Sequence, residues 1–174
     1  MAGGGADEVV QQALAHADAL YNFACWLARD PLEAEDLVQE AYARALGSAQ
    51  QFEAGSNLKA WLFRILRNAF IDRRRRSQRE TSSPDVEELA ADAEATEPAS
   101  RELQLDQIRA LVAEDVGAAV HALSEPFRTV ILLDLEGMTE AEVANVLGCA
   151  PGTVKSRLSR ARAVLRERLA AYRS

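Results

Sequence analysis

The sequence predicts an all-α protein made of two small helical domains joined by a flexible acidic linker, with a helix-turn-helix in the C-terminal domain. Three observations carry that expectation. Alanine and leucine are abundant, aromatics make up only 6% of the 174 residues, and apolar positions recur at helical rather than alternating spacing. That spacing stops between residues 79 and 101, in a stretch of Ser, Thr, Pro and acid. Charge is also segregated: the chain carries a net −7, yet residues 151–174 hold seven basic residues and one acidic residue, Glu167. Such segregation points to separate surfaces for separate partners.

The elements follow in order. Residues from about Asp7 to Leu27 read as an amphipathic helix, with Val9, Val10, Ala13, Leu14, Ala17, Tyr21 and Ala24 as its apolar stripe. The segment RDPLEAEDLVQEAYARALG reads as a second helix. Asp30 is its expected cap, Pro31 suits its first position, Glu33 completes a pattern like a capping box, and Gly47 is the expected stop. Its apolar face is Ala34, Leu37, Val38, Ala41 and Ala45, while Glu35, Asp36, Gln39 and Glu40 crowd one exposed side. A polar loop leads to NLKAWLFRILRNAFIDRRRR, where Leu58, Trp61, Leu62, Ile65, Leu66 and Ala69 form one stripe. Trp61 lies on that stripe and is expected to pack in the core. Residues 80–100 hold seven acidic and no basic residues, a composition that extends a linker by its own charge. Helical signal resumes near Glu102 with Leu105, Ile108, Leu111, Val112, Val116 and Val120. Another helix follows, with Ser124 as its cap and Gly137 as its stop. The expected divisions are therefore 1–78, 79–101 and 102–174.

The last segments are the most informative. Thr139 and Glu142 have capping-box spacing, Gly148 suits a left-handed stop, and Pro151 suits the first turn of a new helix. Two helices joined so tightly must cross steeply, as in a helix-turn-helix. On a helical wheel Val154, Leu158, Ala161, Leu165 and Leu169 share one arc. Ser156, Ser159, Arg160 and Ala163 lie opposite, with Lys155, Arg162 and Arg166 on one flank and Arg157 on the other. Small residues let such a helix sit deep in a major groove, where serine and arginine reach base edges and the flanking cations meet phosphates.

Other classes lack signals. Cys25 and Cys149 are far apart and form no Cys-x-x-Cys or Cys/His cluster, so neither a disulfide framework nor a metal site is expected, and a reducing cytoplasm is. Cys25 reads as a small core hydrophobe and Cys149 as a packed turn residue. His16 and His121 have no paired ligands. No phosphate loop, nucleophile motif or set of catalytic carboxylates appears. No enzymatic activity, cofactor or small-molecule substrate is expected. The N-terminus lacks the pattern of a signal peptide, and no apolar run approaches the roughly 20 residues of a membrane span.

GMTEAEVANVLGCAPGTVKSRLSRARAVLRERL resembles the C-terminal domain of bacterial sigma factors, and more narrowly that of the extracytoplasmic-function group, group IV. DPLEAEDLVQEAYARAL and GSNLKAWLFRILRNAFIDRRRR resemble that group's N-terminal domain, in the same order. The resemblance spans nearly the whole chain from about residue 10, and the paired match is far more specific than a helix-turn-helix alone. It implies an alternative sigma factor that binds core RNA polymerase, directs initiation at promoter DNA, and is controlled by an anti-sigma factor. No counterpart of the extra domains of primary sigma factors is expected in this sequence.

The resemblance also implies roles. Asp36, Leu37, Gln39 and Glu40 in DLVQE match the polymerase-clamp-binding helix. Phe52, Gly55, Ser56 and Asn57 match the loop that holds a flipped minus-ten base. Lys59, Arg64, Arg67, Asn68, Arg73 and Arg74 are then strand and phosphate contacts, with the basic run continuing through Arg76. Thr153, Lys155, Ser156, Arg157, Ser159 and Arg160 match minus-thirty-five contacts. The linker matches a connector that threads through polymerase, where its acids either mimic nucleic acid or serve as a soluble spacer. The competing expectation is a helix-turn-helix regulator that binds DNA, usually as a dimer, without joining polymerase.

Overall fold

The computed structural model describes residues 11–53, 55–80 and 112–170. The linker beyond residue 80, the helix start at residues 7–10 and the stripe positions Leu105, Ile108 and Leu111 lie outside the described residues. Among those described, every regular element is helical.

The N-terminal part contains α1 (Ala17–Ala28), α2 (Pro31–Gly47), a 3-10 turn (Ala49–Gln51) and α3 (Leu58–Glu80). The expected single first helix is broken. Residues 11–14 are helical, but the amides of Ala15 and His16 reach only three residues back, to Gln12 and Ala13. The Ala13 carbonyl at this bend also accepts the Tyr42 hydroxyl at 2.9 Å, which ties the bend to α2. The break turns Leu14 outward, 62% exposed, so it leaves the stripe. Leu20, Phe23, Ala24 and Leu27 are what α1 buries.

Asp30 caps α2 as expected, accepting from the amides of Leu32 (2.8 Å) and Glu33 (3.3 Å), with Pro31 at the first position. Gly47 is the last helical residue rather than a left-handed stop. Ser48 closes the helix instead, its hydroxyl donating to the Arg44 carbonyl at 2.6 Å. Ala34, Leu37, Ala41 and Ala45 are buried against α1 and α3. α3 contributes Leu58, Leu62, Leu66 and Ala69 as expected, and also Ala60, Phe63 and Phe70. Phe63 meets Phe23 with ring centroids 5.1 Å apart. α3 continues through Glu80, so residues 79 and 80 belong to the helix and not to the linker.

The C-terminal part contains α4 (residues 112–121), α5 (Glu125–Leu135), α6 (Glu140–Leu147) and α7 (Pro151–Arg168). Ser124 precedes α5 but its hydroxyl makes no capping bond; Pro126 in the first turn needs no amide partner. Gly137 follows α5 at φ 78°, a conformation that favours glycine, and lets the Met138 amide return to Leu133. Val130, Leu133, Val143, Val146, Val154, Leu158 and Ala161 form the local core. The two parts also touch: α3 packs on α6.

Candidate polymerase and nucleic-acid interfaces

The helix-turn-helix forms as the sequence implies. Thr139 and Glu142 make both halves of the capping box at the start of α6. Gly148 adopts φ 64° after it, and the Cys149 amide bonds back to Ala144 at 3.1 Å. Pro151 then opens α7. Val154, Leu158 and Ala161 anchor α7 to the core, which leaves Lys155, Ser156, Ser159 and Arg160 exposed. Thr153 and Arg157 are half-buried at the edges of that face. The Ser156 hydroxyl donates to the Thr153 carbonyl at 3.0 Å, while Lys155 and Arg160 make no ion pair with another described residue. Arg162, on the flank, is held at 2.7 Å by Asp134 of α5.

The DLVQE segment divides in two. Asp36 and Gln39 are exposed on α2. Leu37 is fully buried in the core, so it cannot be a surface contact. At helical spacing it belongs with Ala34 and Ala41, a stripe the sequence already displayed. Glu40 is partly buried and gathers cations: Arg44 and Arg73 at 2.6 Å each, and Arg76 at 3.7 Å. Arg44 also bonds Asp72 at 2.8 Å, which links α2 to α3. Burial opposes ionisation of Glu40, but hydrogen bonds from Arg73 and Arg44 outweigh it and hold the carboxyl below its usual range. Arg73 donates as well to the Asp36 carbonyl at 3.0 Å. Much of the basic run is therefore engaged within its own domain, while Arg74 lies exposed over the Phe70 ring at 5.7 Å.

The loop before α3 is built around its own polar groups. Gly55 has φ 90°, and the Ser56 hydroxyl closes a turn onto the Glu53 carbonyl at 2.7 Å. The Asn57 side-chain oxygen accepts the Ala60 amide at 3.1 Å, so Asn57 caps α3, a role its position before the apolar stripe could have revealed. Phe52 meets Trp61 in a tilted ring contact with centroids 5.2 Å apart, and Trp61 is packed partly against the core.

The other side of this region meets the C-terminal part. Asn57 Nδ2 donates to Glu142 Oε1 at 2.5 Å. Lys59 Nζ lies 2.8 Å from both the carbonyl and the carboxylate of Glu136. Arg64 donates to Asn145 at 3.1 Å, and Arg67 lies 4.0 Å from Glu125. A cleft between the parts is lined by Arg64, Asn68, Asn145, Gly148 and Cys149. Farther along, Trp26 stacks on His121 at 4.3 Å, and the His121 carbonyl accepts from Arg128 (3.0 Å) and Arg29 (3.4 Å). None of these contacts is signalled in the sequence.

Among the described residues no group of His, Cys, Asp and Glu could hold a metal ion, and no helix is long and apolar enough to cross a membrane.

Comparison with known proteins places both halves. Residues 12–80 match the Sigma-70 region 2 family and residues 113–165 match the Sigma-70, region 4 family. The ECF RNA polymerase sigma factor EcfG of Rhodopseudomonas palustris is 37% identical over 160 residues, covering 91% of this chain and 83% of that protein. The ECF RNA polymerase sigma factor SigE of Mycolicibacterium smegmatis is 36% identical and covers 97% of this chain, which spans only 63% of that longer protein. The sigma factor RpoE of Bartonella quintana, solved in complex with the anti-sigma factor NepR, superposes with a TM-score of 0.70 at 38% identity, covering 91% of this chain and 94% of that one. This chain belongs to the extracytoplasmic-function family of RNA polymerase sigma factors.

Proposed function

We propose that this chain binds core RNA polymerase and directs it to a subset of promoters, with no catalytic chemistry of its own. Asp36 and Gln39 contact the polymerase clamp from the exposed side of α2. Glu40 holds the basic end of α3 against that helix rather than reaching the clamp itself. The loop at Phe52–Asn57 and the α3 side chains Lys59, Arg64, Arg67 and Asn68 engage the melted minus-ten strand, with Arg74 on the backbone. Lys155, Ser156, Ser159 and Arg160, flanked by Thr153 and Arg157, read the minus-thirty-five element. Each element is a modest contact, and joining the two raises the effective concentration of the second once the first is bound. An anti-sigma partner controls the free protein, as its likeness to the NepR-bound relative supports. The protein works in the cytoplasm, where polymerase and its template are.

The observation that most supports this reading is the α7 face. Four polar residues stand exposed on a helix whose opposite side is locked into the core behind a capped turn. The test is promoter-dependent transcription from a pool of genomic fragments by core polymerase reconstituted with the protein. Defined start sites that depend on the protein are expected. Binding to duplex DNA without binding to core would overturn the reading in favour of a simple regulator.

A further inference from the structure

Cations crowd one seam, where α1 and α3 meet the end of α4 and the start of α5. Arg29, at the C-terminal end of α1, and Arg128 of α5 both donate to the His121 carbonyl, at 3.4 and 3.0 Å. Arg67 of α3 lies 4.0 Å from Glu125, and Arg74 of the same helix is close enough to act on Arg128 through its charge. Glu125 is the acid that acts on Arg128, but its carboxylate is divided between Arg67 and the Thr129 hydroxyl at 3.2 Å. Asp30, beside Arg29, faces the amides of α2 instead. The His121 carbonyl ends α4, and a helix end supplies only about half a negative charge. Four guanidinium groups therefore share the Glu125 carboxylate and a helix end, in a protein of net −7.

Among the described residues three buried side-chain nitrogens have no hydrogen-bond partner: Arg67 Nε, His121 Nδ1 and Arg128 Nε. All three belong to this seam, and Arg128 is only 6% exposed. Burying such a cation without a full counter-charge is costly. Burial first, then the charge of Arg29, holds the Arg128 pKa below its ordinary value. Arg29 also occupies the left-handed region at φ 63°, the one described non-glycine residue to do so. Glycine would sit there without strain, yet the position carries a cation that reaches across to His121.

We propose that this seam binds a small, multiply charged oxyanion of the phosphate class. Arg29 and Arg128 hold it, with Arg67 and His121 beside them. Phosphate oxygens match the forks of guanidinium groups, and each oxygen accepts more than one bond. Arg128 lies too deep for a phosphodiester strand, whereas a small ion can enter beside the exposed Arg29. The site stands apart from the promoter reading, because neither Arg29 nor Arg128 belongs to the faces assigned to polymerase or DNA.

The probe is pyrophosphate, titrated into the full-length protein at an ionic strength held constant with sodium chloride. The unfolding midpoint should rise saturably, by at least about 3 °C. The two histidines of the chain, read by NMR, report where the ion sits. Pyrophosphate should raise the His121 pKa, because it offsets the charges of Arg128 and Arg29. His16, whose charged neighbours are Lys59 and Glu136, should not move. Arg29→Gly should be at least as stable as wild type without the anion, since glycine suits φ 63° and one like charge is gone. It should bind pyrophosphate at least about tenfold more weakly. Arg79→Gln removes the same charge from the exposed end of α3 and should keep the wild-type affinity.

A midpoint that rises no further than in the chloride control would overturn the proposal. So would a rise that leaves His121 unmoved, or an affinity that Arg29→Gly leaves unchanged or Arg79→Gln lowers as much. An Arg29→Gly protein much less stable than wild type without the anion would also refute it, because Arg29 would then serve only to cap α4.

Discussion

The α3 face carries Lys59, Arg64 and Arg67, and the α7 face carries Lys155, Arg157 and Arg160, yet the two surfaces stand in different states. On α3 each of the three meets an acid or an amide of the other half of the chain. On α7 Lys155 and Arg160 are exposed and meet none among the described residues. Composition does not separate these faces, because both are short basic runs interrupted by apolar residues. What separates them is the acid that surrounds each. Glu125, Glu136 and Glu142 lie on the elements that reach α3, whereas on α7 the flanking Arg162 meets Asp134 while Lys155 and Arg160 stay exposed. A basic helix in an acidic protein is therefore an interaction surface only where the fold keeps the protein's own carboxylates off it.

That difference can be broken or sharpened from either side. The largest effect is expected for Arg160→Ala. Loss of a bidentate contact to a base should cost about 1–3 kcal/mol of minus-thirty-five affinity. Because the α7 face is open in both states, the loss should be the same for the free protein and the polymerase complex. Fluorescence anisotropy on a promoter duplex measures both, and a loss confined to the complex would mean that α7 is also covered.

Gly148→Ala comes next. Its left-handed φ of 64° favours glycine, so an added side chain should destabilise the C-terminal part by about 1 kcal/mol and disturb the crossing of α6 and α7. Thermal unfolding reads the first effect and duplex affinity the second. Lys59 should become more reactive in the same variant, since α6 carries Glu142 and Asn145, which hold the neighbouring Asn57 and Arg64.

Arg64→Ala should leave duplex binding by the free protein within about twofold of wild type, because its partner there is Asn145 and not DNA. Its effect belongs to the polymerase complex, where strand opening should slow. A large loss in the free protein would contradict the pairing of Arg64 with Asn145.

Acidification gives the smallest and most graded effect, in two steps. Burial first, then Arg128 and Arg29, lowers the His121 value below 6.5, so the neutral ring is favoured in the closed fold beside Trp26. Its contribution is intact above pH 6.5 and fades as pH falls through the lowered value. Hydrogen bonds from Asn57 and then Thr139 hold Glu142 below 4.5, so its contribution is present above 4.5 and is lost as pH falls through the lower value. Both steps loosen the contact between the two parts toward acid. Small-angle scattering across this range should show expansion before unfolding, and compaction on acidification would contradict the assignment.

The sequence displayed the local devices well and the joining of the halves not at all. The Asp30 cap, the Thr139–Glu142 box, the Gly148 stop and the Pro151 start each involve residues within a few positions of one another, where propensity and hydrogen-bond chemistry act directly. The exposed α7 face followed from the same periodicity. The departures lie where tertiary contacts decide. Leu37 falls in the motif that resembles a polymerase-binding helix, yet its spacing with Ala34 and Ala41 marks it as core. The partners that gather on Glu40 also escape a local reading, because Arg73 and Arg76 come from another helix, 33 positions away for Arg73. The contacts of Asn57, Lys59 and Arg64 with the C-terminal part join residues 77 to 85 positions apart, across the segment of weakest periodicity, so no local signal could announce them.

The most direct test of the whole account is the reactivity of the two lysines of the chain, Lys59 against Glu136 and Lys155 on the exposed side of α7. The protein is treated with an amine-acetylating reagent and read by peptide mass spectrometry. Lys59 should react at least about fivefold more slowly than Lys155. Equal reactivity would contradict the claim that the two basic faces stand in different states.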